Sequence, residues 1–232
     1  ESYPIDCEAF MKDNSGKYVK YLWDPNSYIN IMVYNFTTEP NSNSVTLGIS
    51  HIPFSTTGKH YLEGLGETDY SHLTLANLQF PLCVSINSLY INEESTPTEY
   101  STADIAVTLA HELGHYLGLH HVFAETDNGT CEDTDYCKDT KSYNKQEYDS
   151  KCDYIYENER EKYTFKNLVK RTGCDGIEFI SYNIMDYAIS YSNQFTQNQR
   201  ERIRHVLSYS PLIPGPKKGD IDTRALNEGP LD

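Results

Sequence analysis

The chain is expected to be an α+β protein: a twisted mixed sheet carries one long helix, above a smaller, irregular C-terminal part that ends in a final helix. Three observations support this. Residues 29–36, 45–52 and 83–87 are rich in β-branched and aromatic residues and read as strands. Ile105, Leu109, Leu113, Tyr116 and Leu117 form an apolar stripe at helical spacing, which predicts a helix over about 102–117. Thr196 with Gln199 three residues on is a capping-box start, and predicts a helix running to about Ser208.

The remaining elements follow in order. Residues 1–100 are strand-like and loop-rich. Ser101 and Asp104 together resemble a capping box at the start of the first long helix. Residues 122–180 are polar, acidic and cysteine-bearing, with one helix expected over 157–171. A loop-rich stretch of that length needs staples. Pro211, Pro214, Gly215, Pro216 and Gly219 mark 211–232 as a linker or disordered tail. Three parts are therefore expected, at 1–121, 122–210 and 211–232. No internal repeat is present.

The first long helix carries His111-Glu112-Leu113-Gly114-His115, followed by Gly118 and His121. Histidines four apart share a helix face and can grip one ion. At 100° per residue they lie roughly 150° from the centre of the apolar stripe, so one side of the helix packs and the other faces a cleft. Gly118 tolerates the positive φ that ends a helix, and the turn delivers His121 as a third nitrogen. Three protein ligands leave one tetrahedral position open, the mark of a catalytic Zn2+ rather than a structural one. At about 5% usage per residue type, five fixed positions recur by chance with odds on the order of 10⁻⁴ in a chain this long. His120 is assigned an outer or surface position, because only His121 has the three-residue step from Gly118.

The pattern H-E-x-x-H-x-x-G-x-x-H is similar to the extended zinc signature of metzincin peptidases. That resemblance gives meaning to Ser181-Tyr182-Asn183-Ile184-Met185-Asp186-Tyr187, where Met185 fits the methionine turn under the zinc ligands, a soft thioether filling the floor. Tyr187 either binds the metal or donates to a developing oxyanion, or is an ordinary packed tyrosine. Both readings stand. Within the clan the chain resembles the pappalysins. The features are Gly118-Leu-His-His-Val-Phe123, the Cys131…Asp133…Asp139-Thr140 stretch and Asn183–Tyr187. Tyr28–Tyr34 resembles the family's central strand and Leu47–Pro53 its edge strand. The similarity covers roughly residues 20–208.

The resemblance implies a metzincin-like fold and a secreted zinc endopeptidase. His111, His115 and His121 would hold the ion and Glu112 would be the general base. A protein substrate would lie extended along the edge strand near 47–53, and His51 on that strand is expected to be a surface or subsite residue. Analogy also pairs Cys131 with Cys174, Cys137 with Cys152 and Cys7 with Cys83. A structural Ca2+ is implied among Glu125, Asp127, Glu132, Asp133, Asp135 and Asp139; a solvated acidic loop is the other reading. Two departures matter. The positions after Tyr187 are Ala188, Ile189, Ser190, Tyr191 and Ser192, with no carboxylate to select a basic side chain, so apolar or small residues suit the lining better. Only about twenty residues precede the matching region, where relatives have a further strand and a backing helix. A processed or truncated product is expected, because the chain starts at Glu1 without Met.

Composition narrows the classes. The 232 residues suffice for one sizeable core, and a net charge of −15 excludes a phosphate-backbone partner. No stretch is apolar enough for a transmembrane span. Six cysteines with no Cys-x-x-Cys pair suggest three disulfides and an extracytoplasmic, secreted or cell-surface location. A monomer of bacterial origin is expected. Asn35-Phe36-Thr37 and Asn128-Gly129-Thr130 match glycosylation acceptors. The rival expectations are a catalytically silent binding module or latent truncated form, a hydrolase of non-protein substrates, and a structural zinc protein.

Overall fold

The computed structural model describes residues 4–37, 45–69, 73–126 and 130–218. Its helices are α1 (Cys7–Met11), α2 (Ile105–Tyr116), α3 (Lys145–Asn158), α4 (Phe165–Leu168) and α5 (Gln197–Tyr209). Its strands are β1 (Ile31–Tyr34), β2 (Gly48–Ser50), β3 (Phe54–Thr56), β4 (Gly66–Thr68), β5 (Val84–Asn87), β6 (Lys170–Thr172) and β7 (Glu178–Ile180). The principal sheet is mixed, in the order β1-β5-β2, with β1 parallel and β2 antiparallel to β5. Strands β3 and β4 form a small parallel pair, β6 and β7 an antiparallel one.

All four residues of β5 are buried, because α2 covers one face of the sheet and the N-terminal segment the other. The central place expected for 28–34 therefore belongs to β5, with β1 beside it. The predicted apolar stripe of α2 meets this core: Tyr116 is fully buried, and Ile105, Leu109, Leu113 and Leu117 pack against the main cluster, which includes Val84 and Ile86. Burying such side chains contributes about 1.5–3 kcal/mol each, which makes this cluster the main stabilising element.

Helix boundaries show where local signals compete. Asp104 alone caps α2, its Oδ1 accepting from the Ala106 and Val107 amides, while Ser101 closes a separate turn on Ala103. The helix expected over 157–171 lies earlier, at Lys145–Asn158, started by the Asn144 side chain accepting from the Glu147 amide. Beyond it, Thr164 is extended and leaves only the single turn α4 before β6. The capping box of α5 forms as expected, with Thr196 and Gln199 bonding reciprocally.

Three further expectations change. Residues from 211 do not begin a free linker: Leu212 and Ile213 are fully buried in the main core, and the tail from Gly219 lies outside the described residues. Of the three disulfides, Cys131–Cys174 is present and the other four cysteines are thiols. Cys83 points at Met11 in the main core, Cys137 is tied to Asp135, and Cys152 sits on α3 against the Phe123–Tyr143 cluster. His51 is half-buried rather than a free surface residue. Its Nε2 donates to the Met11 carbonyl (3.0 Å), and the ring packs against Phe80.

Candidate metal centre and active-site cleft

Helix α2 ends in a Schellman turn. The Leu119 amide donates to the Gly114 carbonyl (2.9 Å) and the Gly118 amide to that of His115 (2.8 Å). Gly118 has φ +89°, and a Cβ there would stand 2.7 Å from Val206 of α5. Glycine is thus required twice, for the turn and for the close approach. Arg202, also on α5, clamps the turn by donating from Nε to the Gly118 carbonyl (2.5 Å).

That turn converges three imidazoles. The Nε2 atoms of His111, His115 and His121 lie 3.1–3.2 Å from one another. Nitrogens at this spacing suit one ion at about 2.0–2.1 Å from each, on the side facing the cleft. Their outer nitrogens are all occupied. Nδ1 of His111 donates to the Ile184 carbonyl (2.7 Å), that of His115 to Leu119 (2.9 Å), and that of His121 to the Glu125 carboxylate (2.5 Å). Donating at Nδ1 leaves a lone pair at Nε2, the form that ligates a metal. Burial holds His111 and His115 well below the usual imidazole pKa, so both are neutral. Neutral nitrogen donors fit zinc. Among the described residues, this triad is the one group of three or more His, Cys, Asp or Glu side chains with metal-binding spacing.

Glu112 turns the other way, toward β2. A Cβ on Gly48 would fall 2.5 Å from its Cγ, so glycine lets the end strand of the sheet pass directly over the carboxylate. Burial raises the Glu112 carboxyl to about 8, because a charged carboxylate loses hydration there. The cleft between β2 and the triad has a volume of about 810 Å³ and is lined by Leu47, Gly48, Glu112, Tyr187 and Ala188 among others.

The floor is a tight turn at 183–186. The Asp186 amide donates to the Asn183 carbonyl, and the Asn183 side chain accepts from the Met185 amide. Met185 is fully buried, packed so closely under α2 that a Cβ on Gly114 would meet its sulfur at 2.4 Å. Tyr187 is 44% exposed, its ring centroid 4.7 Å from that of His121 and 4.9 Å from that of Phe123. Partial loss of hydration at the cleft wall, with Glu125 and Glu112 nearby, pushes its phenol up to about 12. His120 stands apart from the triad, bonded through Nε2 to the Gly64 carbonyl.

Behind the turn lies an unforeseen element. Arg171 is fully buried and donates to the carbonyls of Leu168, Tyr187 and Ile189. Its Nε lies 3.4 Å from Asp186, an ion pair rather than an aligned hydrogen bond, and its guanidinium stacks on Tyr148 at 3.7 Å. Asp186 also accepts from Tyr143 (2.6 Å) and Ser181. No sequence pattern links Arg171 to Asp186. Glu125, expected in an acidic cluster, is instead turned to His121. Asp139 accepts from the Asn198 amide in the first turn of α5, and Asp127 lies outside the described residues, as do Asn128 and Gly129.

The Peptidase_M43 family model, described as pregnancy-associated plasma protein-A, matches residues 13–208. The extracellular metalloprotease of Arthroderma benhamiae is 37% identical over 97 residues, 41% of this chain and 29% of that protein. The namesake from Arthroderma otae is 38% identical over the same shares. The matched region thus spans under a third of these curated relatives. They are fungal, so the expected bacterial origin has no support from them. Among solved structures, Tannerella forsythia mature mirolysin in complex with a cleaved peptide gives a TM-score of 0.49 at 21% identity, covering 86% of this chain and 59% of that one. The family match takes in the triad, Glu112 and the Met185 turn, and the chain belongs to the Peptidase_M43 family.

Proposed function

We propose that this chain is the catalytic part of a secreted, monomeric zinc endopeptidase, with His111, His115 and His121 holding the ion. The observation that carries this is the convergence of three metal-facing Nε2 atoms beside Glu112 in one open cleft. When bound there, zinc supplies Lewis acidity, bringing the pKa of water at the open position down to about 7. Glu112 accepts the proton from the attacking water and delivers it to the departing amine. Its apolar surroundings, which favour the protonated carboxyl, suit the second half of that cycle. Tyr187, beside His121 at the cleft wall, is a second donor for the developing oxyanion. The substrate lies extended along β2, the end strand of the sheet, adding main-chain hydrogen bonds to it. Ala188 and Ser192 in the lining favour small or apolar side chains.

A structural Ca2+ belongs to the same proposal. Asp135 is 1% exposed and its Oδ2 has no hydrogen-bond partner. A hard cation shared with Asp133 would compensate that buried oxygen. A melting temperature that falls on calcium removal at saturating zinc supports this, and an unchanged one removes it. No helix among the described residues is long and apolar enough to cross a membrane. A silent binding module has no observation in its favour, since Glu112 and all three histidines are in place.

The deciding experiment maps cuts in a denatured protein mixture with and without a zinc chelator, with Glu112→Ala as control. Chelator-sensitive internal cuts, absent from a variant that still binds one zinc, support an endopeptidase. No cuts from a zinc-loaded protein would overturn it.

A further inference from the structure

His121 differs from the other two histidines of the triad. His111 and His115 stand on α2, and each outer nitrogen meets a backbone carbonyl. His121 follows the helix and has no regular element beneath it. Its outer nitrogen alone meets a side chain, and that side chain alone is charged. We propose that Glu125 is a positioning residue of the metal centre, holding His121 by Nδ1 and so fixing the third nitrogen toward the ion. This rests on the zinc reading above.

The local chain supports that task. The Glu125 amide donates to Thr134 Oγ1 (3.1 Å), and that hydroxyl in turn donates to the Phe123 carbonyl (3.4 Å). Phe123 stacks on the His121 ring, centroids 4.6 Å apart and planes within 14°. Carboxylate and ring are therefore held by one short loop. A carboxylate at Nδ1 fixes the tautomer, restrains ring rotation and raises the basicity of Nε2. A backbone carbonyl does the first two and lacks the charge. The residue without a helix under it is the one given the stronger anchor.

The test is zinc affinity, measured by competition with a chromophoric chelator on Glu125→Ala, Glu125→Leu and Glu125→Gln beside the wild type. Melting of the metal-free proteins serves as a fold control. Ala and Leu should each weaken zinc binding by about 10–100-fold, the range for such outer partners. Gln keeps an acceptor oxygen and should fall nearer the wild type, with the metal-free melting temperatures alike. Cobalt loaded in place of zinc should show altered visible bands in Ala and Leu and near-normal ones in Gln. Affinity within twofold of wild type in both Ala and Leu overturns the proposal. A Gln variant as weak as Ala also overturns it, since an acceptor oxygen at Nδ1 would then not be what holds the ring. A wild type that binds no zinc would instead sink the zinc reading, a failure distinguishable from the other two.

Discussion

Up to His121, the chain buries Leu82, Val84, Ile86 and Tyr116 between a sheet and a helix. After it, residues 122–195 contribute to two small apolar clusters, one around Met185 that also takes in Leu119 and Ile203 and one around Tyr143, and bury a guanidinium among carbonyls. The first region draws its stability from non-directional burial, which tolerates changes of similar volume. The second relies on a disulfide and a buried ion pair whose members each hydrogen-bond other groups, so that each partner is specific. The open cleft runs along the seam between them. The helix histidines come from the first region, and the Met185 floor and Tyr187 come from the second.

Breaking the polar centre should have the largest effect. Arg171→Leu strips the Asp186 carboxylate of its cation and leaves the carbonyls of Leu168, Tyr187 and Ile189 without their donor. A loss of about 3–5 kcal/mol is expected in urea unfolding, as for other broken buried pairs. A loss below about 1 kcal/mol would erase the contrast between the regions. Replacing Cys131 and Cys174 by Ser together should lower stability by about 2–4 kcal/mol, since they close a loop across a sequence separation of 43. Hydrogen exchange should then quicken in α3 and β6 while α2 stays protected. Faster exchange in α2 as well would mean that the regions unfold as one.

Gly114→Ala tests the seam itself. The new methyl meets the Met185 sulfur, and about 1–3 kcal/mol of overpacking is expected, with reduced turnover. Thermal melting and peptide assays would check both, and an unchanged Tm would show that the floor yields. The smallest effect concerns pH. His51 is half-buried and its pKa is lowered from 6.5, chiefly by desolvation. The unfolded chain therefore takes up the proton first as pH falls. Its contribution is complete above about 6.5 and is lost below that, as the unfolded form is protonated. Urea midpoints of His51→Gln should fall less steeply than wild type between pH 6.5 and 5, and parallel curves would assign the acid sensitivity to other groups.

The legibility of the sequence followed the same division. Motifs fixed by spacing along one element were readable: the two helix histidines, the glycine turn that brings in His121, and the Thr196–Gln199 cap. Placing α3 failed because Asn144, a side-chain cap with little apolar periodicity after it, decides where that helix starts. The burial of Leu212 and Ile213 was hidden by the prolines and glycine around them, because tertiary contacts overrode local breaker signals. Arg171 pairs with a residue 15 positions away through folding alone, and Glu125 was indistinguishable from the other acids of its loop until the ring of His121 was placed. The pairings implied for Cys137 and Cys7 came from analogy: Cys7 and Cys83 share the main core as thiols, while Cys152 packs against the Tyr143 cluster.

On the proposed peptidase reading, the link between Cys131 and Cys174 has a consequence for this protein in its own company. The segment it brackets includes α3 and displays Tyr154, Tyr156 and Tyr163 to solvent. A neighbouring copy that cut anywhere inside that bracket would release nothing. Both fragments would travel together until a reductant reached them, and helix α2 and the Met185 turn would remain on one covalent molecule. Self-inflicted nicks would thus show as two bands only on a reducing gel, with the cleft still assembled.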